Sequence, residues 1–267
     1  KHHKEIVISP LFLNEFGINC FTSDAFDTDS LGTFSGEITR KDDALTTLRN
    51  KCILGNKTTH CDLVIASEGS FGMHPSLFFA QANEELVMLK DFRNDLEIVA
   101  REISFDTNFD DKTVSSEIEL NEFANKIQFP SHGIILKSEE KNPSKIIKGI
   151  VTKDKLLKTF YELKEEFETV YIETDMRAQF NPTRMKVIEK ATQNLIQKIK
   201  NECPNCKMPG FDVVESNPGL SCKSCSFPTR STLSHLYQCK KCYFKEEKKF
   251  PRGIEFEDPT YCDNCNP

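Results

Sequence analysis

The chain has 267 residues, of which 38% are hydrophobic and 28% charged, and its formal net charge is -6. That length suits one large domain and one small one. No run of about 18 apolar residues is present to form a transmembrane helix, and the acidic balance argues against a generic duplex-binding protein.

In chain order, residues 4–16 read as a helix, with Leu11, Phe12 and Phe16 apolar and Gly17 as its stop. "INCFTS" (18–23) reads as a short strand. Residues 43–54 read as a second helix: Asp42 or Asp43 caps it, Leu45, Leu48 and Cys52 share a face, and Gly55 ends it. "DLVIAS" (62–67) is a continuous apolar run typical of a buried strand, entering a turn at "EGSFG". "ELVMLKDF" and "LEIVAREISF", separated by "RND", form a hairpin. "DTNFDDKTVSS" is a polar loop. Then follow a helix at 117–127, strands at "GIILK" and "IIKGIV", a helix at 153–167, the strand "VYIET" and a long helix over 182–200. Asn181 is a favoured cap for that helix and Pro182 fits its first position. Helices alternating with strands around one antiparallel section predict an α/β domain, a mixed sheet flanked by helices, over residues 1–200.

Eight of the eleven cysteines lie in residues 201–267, all as C-x-x-C: Cys203/Cys206, Cys222/Cys225, Cys239/Cys242 and Cys262/Cys265. No secretory signal is visible, so the pairs read as metal ligands in a reducing, cytoplasmic compartment rather than as disulfides. One knuckle offers two thiolates, and two complete a tetrahedral zinc shell. The gaps of 15 residues after Cys206 and 19 after Cys242 suit sequential pairing into two ribbons. Interleaved pairing, first with third and second with fourth, satisfies the same shell. The segment has few aliphatic residues, so two structural Zn²⁺ ions are expected to hold this small C-terminal zinc-ribbon domain together, at about 10–16 kcal/mol per site in small peptides. Its nine basic and nine acidic residues make no basic clamp. Contact with RNA has no support from charge, and a protein contact or a lid over the first domain is equally compatible.

Four polar stretches of the first domain carry candidate chemistry. "KHHKE" opens a helix, where Lys4 is placed to meet an anion. "DTDSLGTFSGEITR" (27–40) offers Asp27, Asp29 and Glu37 for Mg²⁺, glycines for close backbone approach and Arg40 as a phosphate fork. "ASEGSFGMHP" (66–75) puts Glu68 at the end of a buried strand as metal ligand or general base, Ser70 toward phosphate and His74 behind them. "ETDMRAQFNPTRM" (173–185) sets Glu173 and Asp175 on one face of a strand end, with Arg177 following and Arg184 in the next helix's first turn. Clustered carboxylates repel unless a cation joins them, so all four are expected to converge on one cleft.

Those four stretches, with the C-x-x-C pairs and the closing "CDNCNP", resemble an uncharacterised bacterial domain-of-unknown-function family with a C-terminal zinc ribbon, over nearly the whole chain. That family usually has a strand before the "KHHKE" position, so this chain is expected to lack its first strand or to have had it trimmed. A fainter likeness runs to the inosine-triphosphate pyrophosphatase group: an N-terminal lysine helix, Gly-Thr-Phe with a glutamate, then a strand and a Ser-Glu-Gly turn. It implies that Lys4 holds phosphate and that Glu37 and Glu68 serve Mg²⁺; Ser67-Glu68-Gly69 stands where that group has Asp-Ser-Gly. The resulting expectation is a Mg²⁺-dependent hydrolase of a nucleotide-like phosphoanhydride. Asp27, Asp29, Glu37, Glu68, Glu173 and Asp175 would hold metal and activate water; Lys4, Arg40, Ser70, Arg177 and Arg184 would bind phosphate. The alternative is a non-catalytic module binding a phosphorylated ligand, whose ribbon docks protein or RNA.

Overall fold

The computed structural model describes residues 2–23, 43–74, 77 and 80–267. The chain divides into two compact units, Lys1–Leu195 and Ile196–Pro267, the division falling inside a long helix. Among the described residues no helix is long and apolar enough to cross a membrane.

The first unit opens with α1 (Glu5–Phe16), closed by Gly17 in the left-handed conformation that glycine adopts without steric cost. Residues 18–23 form no strand, contrary to expectation; Phe21 is exposed, so no sheet face buries it. α2 (Ala44–Thr59) is capped by the Asp43 carboxylate, which accepts from the Leu45 and Thr46 amides. It runs straight through Gly55, the expected stop. A Cβ there would lie 2.9 Å from Val64 Cγ1, so the glycine lets the helix approach the next strand. The actual stop is His60, at φ 56°.

β1 (Leu63–Met73), β2 (Gln81–Asp91) and β3 (Leu96–Ser104) form an antiparallel sheet in that order. The β2–β3 turn is tightened by Asp91, whose side chain accepts from the Arg93 and Asn94 amides. β1 does not end at Ser67. It continues through Glu68-Gly-Ser-Phe-Gly and stays paired out to Met73↔Gln81. α2 covers one face, packing Leu48 and Cys52 against Ala66 and Met88.

The second sheet has the order β4-β7-β5-β6, with β4 (Asp111–Val114), β5 (Ile134–Lys137), β6 (Ile146–Ile150) and β7 (Val170–Thr174). β4 arises from the stretch read as a polar loop; its single inward residue, Val114, gave too little alternation to mark a strand. α3 (Glu117–Lys126) and α4 (Lys153–Lys164) supply Leu120, Phe123, Leu156 and Phe160 to a core shared with Ile134, Leu136, Val170 and Ile172. Each such side chain contributes about 1.5–3 kcal/mol on burial. Helices and strands mix as expected, but every described strand pairs antiparallel, so the sheets are not mixed in direction.

α5 (Pro182–Lys200) starts at an Asn181 cap, whose Oδ1 accepts the Arg184 amide at 2.9 Å. In the second unit β8 (Asp212–Pro218), β9 (Thr232–Gln238) and β10 (Lys245–Lys249) form an antiparallel sheet, order β10-β9-β8.

Candidate functional site

The cysteine knuckles of the second unit sit at the ends of its strands. β8 and β9 run antiparallel, so the knuckle before β8 (Cys203/Cys206) lies beside the knuckle after β9 (Cys239/Cys242). The knuckle between the two strands (Cys222/Cys225) is at the opposite end, where Cys262/Cys265 joins it. The pairing is therefore interleaved. Sequential pairing would ask one ion to span the seven residues of β8, about 20 Å of strand.

Each group of four Sγ atoms lies within 4.8 Å of one another. The closest sulfur pairs are 3.6 Å (Cys203–Cys242, Cys206–Cys239 and Cys225–Cys262) and 3.8 Å (Cys222–Cys265). A tetrahedron with metal–sulfur bonds of about 2.3 Å has sulfur–sulfur edges of about 3.8 Å, so both sets fit a metal ion. They do not fit disulfides, whose sulfurs lie about 2.05 Å apart. The Cys239 sulfur also accepts from the Lys241 and Cys242 amides, each at 3.4 Å.

The first unit contains a buried charge cluster drawn from distant segments. β1 alternates, so Glu68 and Gly69 face opposite sides of the sheet; Gly69 is paired with Glu85 and shares its side. On the α2 side, Lys51 Nζ donates to the Glu68 carboxylate and to the Ser67 carbonyl at 3.4 Å. On the other side, Arg184 Nε donates to Glu85 Oε1 at 2.7 Å and its Nη1 to the Met176 carbonyl; both side chains of this pair are wholly buried. Its guanidinium lies 5.0 Å from the centre of the Phe71 ring. Gly69 makes the room: a Cβ there would sit 2.3 Å from Glu85 Oε1 and 2.6 Å from Arg184 Nη2. Lys4 donates to Ser67 Oγ at 3.0 Å. Lys4 keeps some exposed surface, but its ammonium is enclosed. Desolvation first, then the charges of Arg184 and Lys51, push its pKa down to about 7 against the pull of Glu85 and Glu68.

Of the sequence candidates, Lys4 and Arg184 thus come to the same side of β1, at Ser67, Gly69 and Phe71, and Glu68 lies with Lys51 on the other. Ser70 does not join them: its hydroxyl donates to Glu84 at 3.4 Å. Asp175 and Arg177 pair with each other, Arg177 Nε reaching Asp175 Oδ1 at 2.9 Å, and the Gly149 amide donates to Asp175 Oδ2 at 3.0 Å. Glu173 binds Lys137 at 2.8 Å, and burial raises its pKa despite that lysine. Neither Asp175 nor Glu173 is left as an uncompensated carboxylate awaiting a metal. His74 stacks on Phe105 with ring centres 4.8 Å apart. Asp27, Asp29, Glu37 and Arg40 lie outside the described residues. Lys51, Ser67 and Glu85 were not among the candidates. Glu85 carried little signal: with Asn83, which is also buried, it makes its side of β2 polar up to Val87.

The molecule is an α-plus-β protein carrying buried charges in one unit and two four-cysteine groups that fit a metal ion in the other. A family model for a domain of unknown function, DUF6671, matches residues 51–267, and the chain belongs to that family. The matched stretch includes Lys51, Glu68, Glu85, Arg184 and all eight paired cysteines, and Lys4 precedes it. No curated protein matches, and no solved structure matches. The likeness to the inosine-triphosphate pyrophosphatase group finds no support in these comparisons.

Proposed function

We propose that the first unit binds a phosphorylated small molecule, nucleotide-like in class, at the Lys4–Lys51–Glu68–Glu85–Arg184 cluster, and that zinc occupies both four-cysteine sites as a folding element. The carrying observation is the charge balance. Among the described residues Lys4 stands within reach of the charges of Lys51, Arg184, Glu68 and Glu85, and the two carboxylates are engaged by Lys51 and Arg184, so the field at Lys4 favours an anion. The hydrolase form of this reading, with Mg²⁺ held by Glu68 and the other acidic residues, draws less support because Glu68, Glu173 and Asp175 already face protein cations.

Binding is tested by calorimetry against nucleoside triphosphates, with and without Mg²⁺. A charge-assisted hydrogen bond is worth about 1.5–3 kcal/mol, so Lys4→Met is expected to weaken binding about 10–100-fold. No binding to the native protein would refute the reading. Product formation that needs Mg²⁺ and vanishes in Glu68→Gln would establish the hydrolase form; saturable binding without product would establish the module.

For the second unit, a protein partner is favoured over RNA. Residues 201–267 carry equal numbers of acidic and basic side chains, and each divalent ion on four thiolates adds a net charge of about -2. Exposed aromatics, Phe227, Phe256 and Tyr261, lie close in sequence to Cys225, Glu257 and Cys262, and residues 222–227 and 257 are hydrogen-bonded together. Such a patch suits an apolar contact.

A further inference from the structure

We propose that Lys4 is an amine nucleophile toward a carbonyl compound bearing a phosphate group, with which it forms an imine inside the charge cluster. The inference rests on the reading that the cluster binds a phosphorylated ligand, and it names the substrate class.

Among the described residues three basic groups act on this site, and Lys4 has the right chemistry. Arg184 does not deprotonate in proteins, and both its buried carboxylate and the Met176 carbonyl hold it. Lys51 is committed to Glu68. The hydrogen bond of Lys4 is to a neutral hydroxyl, Ser67 Oγ, which accepts from an ammonium and equally donates to a neutral amine. Two neighbouring cations and enclosure both disfavour the ammonium form, the arrangement that makes a lysine nucleophilic near neutral pH. The same cations attract the phosphate that brings the carbonyl to the amine.

In the step itself the Lys4 nitrogen lone pair attacks the carbonyl carbon, and the carbonyl π pair moves to oxygen, which takes up the proton that the attacking nitrogen sheds. The carbinolamine then loses that hydroxyl as water on receiving a proton from solvent. The nitrogen lone pair closes the C=N bond, giving a protonated imine.

Pyridoxal 5′-phosphate with borohydride reduction is the probe, read by mass mapping of the labelled peptide from the native protein. Expected are labelling of Lys4 ahead of every other lysine at pH 7, competition by inorganic phosphate, a rate that climbs with pH with its half-point near 7, and loss of the label in Lys4→Arg. Label spread over lysines by exposure, or none, overturns the amine role; persisting nucleotide binding in calorimetry would leave the binding reading standing. Equal labelling of Lys4 by pyridoxal without its phosphate overturns the substrate class. Absence of binding by nucleotide, phosphate and probe alike sinks both.

Discussion

Gly69 shows how a single missing side chain organises the charge cluster. Its Cβ position is taken by the Glu85–Arg184 ion pair, and removing one partner of a buried pair costs about 3–5 kcal/mol. Gly69→Ala makes the ends of those side chains shift, at a cost bounded by that figure and read as a lowered urea midpoint; a loss under about 0.5 kcal/mol would show the pair shifts aside intact. Lys4 gives a second expectation at this scale. Its folded pKa, about 7, lies below the ordinary 10.5. Between those values the unfolded chain holds a proton the folded chain has shed, so stability rises with pH across that window. The difference in urea midpoint between the native protein and Lys4→Met should move in the native protein's favour over it. Lys4, Glu68 and Arg184 were legible in the sequence because each is a charge beside an element boundary or a glycine. Glu85 was hidden inside "NEELV", where polarity reads as a strand's open face and only the register with Gly69 shows otherwise.

Elements were legible where local chemistry settled them. The caps at Asp43 and Asn181, the stop at Gly17 and the β2–β3 hairpin follow from side chains within a few residues. They were misread where a distant neighbour decides. Glycine at 55 reads as a helix end, yet it is a contact with Val64; Glu-Gly-Ser-Phe-Gly reads as a turn, yet it is strand whose glycine leaves room for a salt bridge. Gly55→Val tests the first of these. It places two methyls where Val64 already sits 2.9 Å from a Cβ, and overpacking of that kind costs about 1–3 kcal/mol. Chemical denaturation should show that loss. An unchanged midpoint would mean that α2 can ride further from β1.

On the scale of the molecule, the metal pairing was the question spacing alone left open. Both arrangements satisfy four thiolates, and the antiparallel course of β8 and β9 decides between them. Metal stoichiometry checks this directly. Cys203→Ser with Cys239→Ser strikes a single site, so the protein should keep half its metal. Cys203→Ser with Cys222→Ser strikes both and should lose nearly all of it. The reverse pattern would require sequential pairing. The order in which a ribosome releases the chain gives this arrangement a cost. Cys222 and Cys225 emerge 15 residues after Cys206, but the rightful partners of the first knuckle follow only after 32. A shorter loop closes at slightly lower entropic cost, so a nascent chain meeting metal early is expected to capture the wrong pair first. Maturation would then include a ligand exchange, and supplying the ion after synthesis is complete should give the native protein faster than supplying it throughout.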